Sequence, residues 1–258
     1  MIVPIVLQTY NRLSYTMQVI SSFKNHLIYP YYLIVIDNAS SDGTRVYLDL
    51  MKSQGYIDYL ILNDTNLGIA TPKNQGLEVI KELAKTQEIK YICVTDNDIV
   101  FPFVRDNGKC ALGKIVQLMD NQPHIGMCGV DLNPDNAPAS QAWWWRLRQH
   151  PTNIPEFTEI SIGFWGAVIR YEFFNDFSFD CKSLYGKCDE SCRNYIYSVK
   201  KQKIGLWKGV FNGKDTVQKL GQHLGWNEDA TMYPDYVAFK KQERFKAEQI
   251  WKAENKKW

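Results

Sequence analysis

The stretch VTDNDIVF, residues 94–101, sets Asp96 and Asp98 one residue apart between two apolar runs. Carboxylates beside a core are costly unless a cation, a cap or a hydrogen bond compensates them. In extended backbone, residues i and i+2 point the same way, so two carboxylates can converge on one hard cation. Mg²⁺ and Mn²⁺ favour oxygen ligands and usually share their shell with substrate phosphates. The competing explanation is a turn in which either aspartate caps a backbone amide.

The elements around this stretch bear on the choice. "IVPIVLQ" is a buried-type β run, followed by Leu13, Met17, Ile20 and Phe23 at helical spacing. "YYLIVID" is a second β run, closed by the turn residues Asn38, Ser40, Asp42 and Gly43, after which Val46, Leu50 and Met51 suggest a short helix. "DYLILN" reads as a third strand. Thr71 and Pro72 read as an N-cap and first helical residue, opening a helix that buries Leu77, Ile80 and Ala84. "YICVT" is a fourth strand, ending at the two aspartates. This order predicts a mainly parallel sheet covered by helices on both faces, with ligands at the carboxyl ends of the strands. Thr9, Tyr10, Asn11 and Arg12 follow the first strand, Asp37 the second, Asn63 to Asn66 the third, and Asp96 to Asp98 the fourth. Four strand ends carrying Asp, Asn or Arg describe one polar cleft, and that placement favours a cation over a turn.

Composition restricts the function classes. The 258 residues suffice for one large domain. A net charge of +2 announces neither a nucleic acid nor an acidic membrane. Eight tryptophans, 15 tyrosines and 12 phenylalanines suit stacking sites as well as core packing. No apolar run reaches the roughly 18 residues of a membrane span, and "MIVPIVLQTYNR" has no basic leader, so a cytoplasmic protein with reduced thiols is expected. Cys181, Cys188 and Cys192 cluster, but their spacing matches no zinc template. The second half is less regular: a helix around 112–119, a Pro-, Asn- and Trp-rich loop over 131–155, a strand and turn in "ISIGFWGAVIRYEFF", and a helix over 189–201. The tail from Phe239 reads as a polar, net basic helix with Phe245, Ile250 and Trp251 as its apolar residues.

With these residues in place, the sequence resembles the family 2 glycosyltransferases of the GT-A fold from residue 3 to roughly residue 225. "VPIVLQTYNR" looks like their opening strand and nucleotide-contacting loop. "IVIDNASSDGT" is similar to their second-strand signature, "NLGIATPKNQGL" to their Asn-x-Gly…Arg-Asn-x-Gly stretch, and "TDNDIVF" to their metal-binding Asp-x-Asp. The resemblance implies a GT-A, Rossmann-like α/β fold in one domain. Residues 1–238 would form it, divided into a nucleotide-binding half (1–105) and an acceptor-binding half (106–238), with 239–258 a C-terminal polar helix. It also implies roles. Asp37 would accept the N3–H of a uracil or thymine ring. Asn66 and Gly68 would let backbone approach the nucleotide, and Lys73, where arginine is frequent, would supply a point charge for phosphate. Asp96 and Asn97 would contact the nucleotide-sugar, while Asp98, with Asp96 and the late His223, would hold Mn²⁺ or Mg²⁺; an imidazole ligand favours manganese. "GKCDESCRNY" places Asp189 and Glu190 where the family has its catalytic base, with the two acids in reversed order, so either qualifies. Their position at a helix start also suits the dipole alone. Trp165 in "SIGFWGAV" and Trp145 in "AWWWRLRQH" are expected to contact donor sugar or acceptor.

The implied reaction is inverting transfer from a nucleotide-sugar, UDP-linked by preference, to an acceptor hydroxyl, the acceptor being a glycan or similar. A phage-type enzyme acting on hydroxymethylated bases in DNA is the alternative, suggested by the WWWRLR loop and basic tail. A sugar nucleotidyltransferase would share the fold, but "QTYNRLS" lacks the glycines its loop needs. A binding module without activity is disfavoured by the retained Asp96, Asp98, Asp189, Glu190 and His223.

Overall fold

The computed structural model describes residues 1–133, 150–179, 188–208, 221–226 and 232–255. The element order is β1 (Val3–Thr9), α1 (Leu13–His26), β2 (Tyr31–Asp37), α2 (Thr44–Ser53), β3 (Tyr59–Leu62), α3 (Ala70–Leu83), β4 (Tyr91–Asp96) and β5 (Ile99–Val100). There follow α4 (Ala111–Asn121), β6 (Ile125–Val130), β7 (His150–Pro151), β8 (Phe157–Glu159), β9 (Ala167–Arg170), α5 (Cys188–Asn194), β10 (Lys203–Trp207), β11 (Gln222–His223) and α6 (Pro234–Asn255). A 3₁₀ turn follows β9, and one π-turn, Tyr195–Val199, extends α5.

Nine strands form one sheet in the order β3-β2-β1-β4-β9-β6-β10-β8-β7. The first four are parallel, as the β-α alternation requires; the apolar runs of β1, β2 and β4 are buried on both faces, while β3 is the half-exposed edge. Ile5, Val6, Leu7, Ile34, Val35, Ile92 and Val94 are all fully enclosed, each contributing about 1.5–3 kcal/mol relative to exposure. β9 runs against both β4 and β6 and joins the parallel half to the second pair, β6 and β10. Strand order reverses between β1 and β4, the switch point at which an open α/β sheet leaves a crevice at its carboxyl edge.

The α/β expectation holds, and the differences are local. α3 starts at Ala70, so Pro72 falls at its third position, inside the first turn where no backbone donor is missed. α6 starts at Pro234, five residues before the expected tail helix, with proline at the position that favours it. The apolar segment after residue 160 returns to the core through Gly166, whose φ of +58° and Phe101 neighbour, 2.6 Å from where a Cβ would sit, admit no side chain. Trp143, Trp144, Trp145, Arg146, Arg148 and Cys181 lie outside the described residues. Cys93, Cys110, Cys128, Cys188 and Cys192 are free and buried, and no helix among the described residues is long and apolar enough to cross a membrane.

Candidate active site

Strand register puts the polar residues at one edge. Thr9 pairs with Asp37, Gln8 with Asp96, and the Asn63 N–H donates to the Asp37 carbonyl at 2.9 Å. The loops after β1 and β2 then lace together. The Asn11 N–H donates to Ser40 Oγ (2.7 Å) and the Ser41 N–H to Asn11 Oδ1 (2.8 Å). Asn11, Arg12 and Ala39 adopt φ of 52°, 60° and 69° to make this fit, a conformation costing side-chain-bearing residues about 1–3 kcal/mol and concentrated at functional sites. Asp37 is fully buried. Its Oδ2 accepts the Ser40 N–H at 3.0 Å and lies 3.8 Å from Arg45 Nε, while Oδ1 has no hydrogen-bond donor. Burial raises its pKa, with Ser40 and Arg45 offsetting part of the rise. The Asx-turn with Ser40 and an acceptor for a nucleobase are therefore compatible, because each uses a different oxygen.

Asn66 and Gly68 serve the loop itself. Asn66 Oδ1 accepts from the Gly68 N–H (2.9 Å) and Asn38 Nδ2 (2.6 Å), and Gly68 has φ +79°. The Gly68 carbonyl in turn receives Gln8 Nε2 and Asn38 Nδ2, both at 2.9 Å. Lys73, with a side chain 0% exposed, donates to Gln8 Oε1 (2.8 Å) and Asp96 Oδ1 (3.1 Å) and sits 5.1 Å from the Phe164 ring centre. Asp96 is 44% exposed and faces outward from this buried ammonium. The enclosed ammonium fixes the carboxylate that Asp96 presents to the crevice and offsets part of its charge.

The two aspartates do not lie on one extended strand, although the charges of both reach His223. A turn at Asn97 and Asp98 separates β4 from β5, so extended i, i+2 geometry is lost. Asp96 pairs with Lys73 and Asp98 with Arg12, Nη1 to Oδ2 at 3.0 Å. Asn97 is consumed by the scaffold: its Nδ2 donates to Thr9 Oγ1, the Asn11 carbonyl and Thr16 Oγ1, each at 3.1 Å, and its Oδ1 accepts Arg12 Nη2. The Thr9 hydroxyl lies buried against Thr16 Oγ1 at 2.9 Å. Tyr10 stacks outward, 5.5 Å from the Phe239 ring.

His223 arrives from far down the chain because β11 pairs antiparallel with β5, setting His223 opposite Ile99 and its Nδ1 3.9 Å from Asp98 Oδ2. Burial and the neighbouring Arg12 and Lys240 outweigh the pull of Asp98 and Asp96 and lower the imidazole pKa. Asp98 experiences the opposite balance: burial would raise its pKa, yet His223, Arg12 and Lys240 hold it below the usual carboxylate range. The Arg12 guanidinium, which is always protonated, is the steady counter-charge. Among the described residues no three His, Cys, Asp or Glu side chains converge as a complete metal shell. Asp98 Oδ1, however, is buried without a hydrogen-bond donor beside His223. One carboxylate oxygen and one imidazole are donors that would suit a hard or borderline cation, with further ligands supplied from outside the protein.

Across the crevice, Asp189 opens α5. Its Oδ2 accepts Arg193 Nη1 at 2.7 Å and lies 3.6 Å from where a Gly163 Cβ would sit; its Oδ1 accepts the Glu190 N–H at 2.9 Å. Arg193 is itself anchored on the Ile162 carbonyl (2.8 Å). Trp165 packs its indole over the same Gly163, 3.2 Å from that Cβ position, and the adjacent Phe164 carbonyl receives the Asp96 N–H at 3.3 Å. Segment 162–165 thus links Asp189 to Asp96. Glu190 is exposed.

The profile described as "Glycosyl transferase family 2" matches residues 5–178. The chain belongs to glycosyl transferase family 2. No curated protein matches it. Among solved structures, this family 2 chain is similar to residues 1–349 of Staphylococcus aureus TarS in complex with UDP, at 14% identity and a TM-score of 0.56, over 86% of this chain and 60% of that one. It is likewise similar to the mannosyltransferase PcManGT of Pyrobaculum calidifontis in complex with GDP-Man and Mn²⁺, at 17% identity and 0.57, over 81% and 58%. At these identities the likeness is one of fold, and the chain has the GT-A architecture expected from its motifs. It spans about 60% of those relatives' length.

One acid at this edge of the sheet has no motif to mark it. Asp131 follows β6, where the Val130 N–H meets the Trp165 carbonyl at 3.1 Å and the Gly221 N–H meets the Asp131 carbonyl at 2.8 Å. Burial pushes its pKa up to about 6, against the pull of Lys208. The folded state therefore binds this proton more tightly than the unfolded chain, and stability falls as pH rises from about 4 to about 6. Asp131→Asn is expected to stabilise the protein at pH 7.5 by at most about 3 kcal/mol, with the gain vanishing below about pH 4. Urea melts at the two pH values check this; an equal gain at both rejects it.

Proposed function

We propose that the chain is an inverting glycosyltransferase that moves a sugar from a UDP-linked donor to an acceptor hydroxyl, with Asp189 as base. The observation that carries this is a pair of buried carboxylate oxygens, Asp37 Oδ1 and Asp98 Oδ1, without a hydrogen-bond donor at one sheet edge. Leaving such atoms unsatisfied costs about 1–3 kcal/mol each, and a nucleobase N–H at the first and a cation at the second would satisfy both. UDP in the TarS structure and Mn²⁺ in the PcManGT structure agree with that assignment.

Asp37 would take the N3–H of the base, and Lys73, through its buried ammonium, would fix Asp96 and offset its charge beside the phosphates. Asp98 and His223 would hold Mn²⁺ or Mg²⁺, which when bound offsets charge on the leaving diphosphate. Asp189 removes the acceptor proton as that oxygen bonds to the anomeric carbon; the carbon–phosphate-oxygen bond breaks and its electron pair leaves with the nucleoside diphosphate. A single displacement of this kind inverts the anomeric centre. Trp165 offers an aromatic face for a sugar next to Asp189. Residues 1–105 would form the nucleotide half and 106–238 the acceptor half. A net charge of +2 gives no general attraction to DNA, so a glycan or similar acceptor is preferred over hydroxymethylated bases.

The test is a panel of nucleotide-sugars with Mn²⁺, read by thermal shift and by donor hydrolysis, against Asp98→Asn. A true donor at about 100 times its Kd stabilises by about 2.7 kcal/mol, and hydrolysis should drop at least about tenfold in the variant. No stabilisation and no metal-dependent turnover with any donor would overturn the reading. A salt-dependent gel shift with duplex DNA decides the acceptor alternative.

A further inference from the structure

Helix α6 lies outside the matched residues 5–178, and the aromatic side chains of its start land on the site. The Tyr233 hydroxyl is 2.5 Å from Ser14 Oγ, and its ring packs edge-on against Tyr15 at 5.0 Å. Phe239 and Tyr236 meet Tyr10 at 5.5 and 6.3 Å. Tyr236 also covers the guanidinium of Arg12, its ring centre 4.4 Å from Cζ, and Lys240 Nζ lies 5.6 Å from the same ring. Residues 233, 236 and 240 recur at i, i+3 and i+7, so one stripe of the helix is committed to the first loop.

Arg12 is 5% exposed, and its left-handed backbone turns it toward the crevice. One arm of its fork holds Asp98 Oδ2 at 3.0 Å and the other holds Asn97 Oδ1. This engages one oxygen of Asp98 and leaves Oδ1 as the one without a donor. A planar guanidinium keeps two such bonds only while its own faces are held, and a tyrosine ring does that where an aliphatic side chain does not.

We infer that Tyr236 is a positioning residue for the cation-binding carboxylate: it fixes Arg12, Arg12 fixes Asp98, and the C-terminal helix thereby completes the active centre. The inference rests on the proposed metal and nucleotide site. Its experiment is titration of MnCl₂ into the full chain with UDP present, followed by electron paramagnetic resonance, for wild type, Tyr236→Phe and Tyr236→Leu. Tyr236→Leu should weaken Mn²⁺ binding about tenfold, and Tyr236→Phe, which keeps the ring, should stay within about twofold. Binding of UDP without metal should be the same in all three, because Tyr236 acts through Asp98. Arg12→Lys keeps the charge but cannot span Asp98 and Asn97, and should reproduce the weakening even if Tyr236→Leu does not fold. Unchanged or tighter Mn²⁺ binding in Tyr236→Leu or Arg12→Lys, or equal losses in Phe and Leu, overturns the inference. A wild-type chain that takes up no Mn²⁺ with UDP overturns the proposed site instead, and this inference with it.

Discussion

Asp189→Asn will lower kcat by about 10²–10⁴-fold, the usual worth of a general base, while the thermal shift produced by UDP stays as in the wild type. Glu190→Gln will keep kcat within about threefold. Sequence order leaves the two acids equivalent, and their surroundings do not. Asp189 is 38% exposed, braced by Arg193 at 2.7 Å, and set against Gly163 beside Trp165. Arg193 is fixed on the Ile162 carbonyl, so the brace is tied to the segment that carries Phe164 to Asp96. Glu190 contributes its N–H to Asp189 Oδ1 and has an exposed side chain. A base must be held within reach of the acceptor proton, and only Asp189 is held. The π-turn after α5 is a further sign of a functional site, since such turns cluster there. Single-turnover rates for the two variants decide the matter, and a dead Glu190→Gln with an active Asp189→Asn would reverse the assignment.

Arg12→Ala is expected to destabilise the protein by about 3–5 kcal/mol, because it strands a buried aspartate without its counter-ion. The side chains of Arg12 and Asp98 are 6% and 9% exposed, so water screens little of the loss. Removing the guanidinium also breaks the bond to Asn97, whose amide ties Thr9, Asn11 and Thr16 together. The melting temperature should fall by about 10 °C. The double variant Arg12→Ala with Asp98→Asn should lose less than the sum of the two single losses, since the second change removes the stranded charge. Strict additivity in urea titrations would show that the pair contributes nothing as a pair.

The sequence by itself determined the alternation of buried strands and helices, and with it the crevice at the strand ends. It also determined which residues stand at that edge: Asp37, Asn66, Asp96 and Asp98 are placed there by local periodicity, which needs no distant partner, whereas Lys73 is marked only by the family resemblance. The tertiary structure decided which of them keep an open or unsatisfied oxygen at the crevice and which serve the scaffold. Asn97 and Thr9 turn inward because a turn at residues 97 and 98, absent from the strand pattern, carries their polar groups into one buried network. Asp98 meets Arg12, 86 positions away, and His223 joins them through the β5–β11 pairing. Tyr236 stands three residues before the segment read as a tail, yet the start of α6 brings it onto Arg12. Asp131 acquires its raised pKa from burial alone, which no motif encodes. Spacing along a chain specifies the direction of nearby side chains, whereas ion pairs, desolvation and stacking depend on distances that only the closed fold defines.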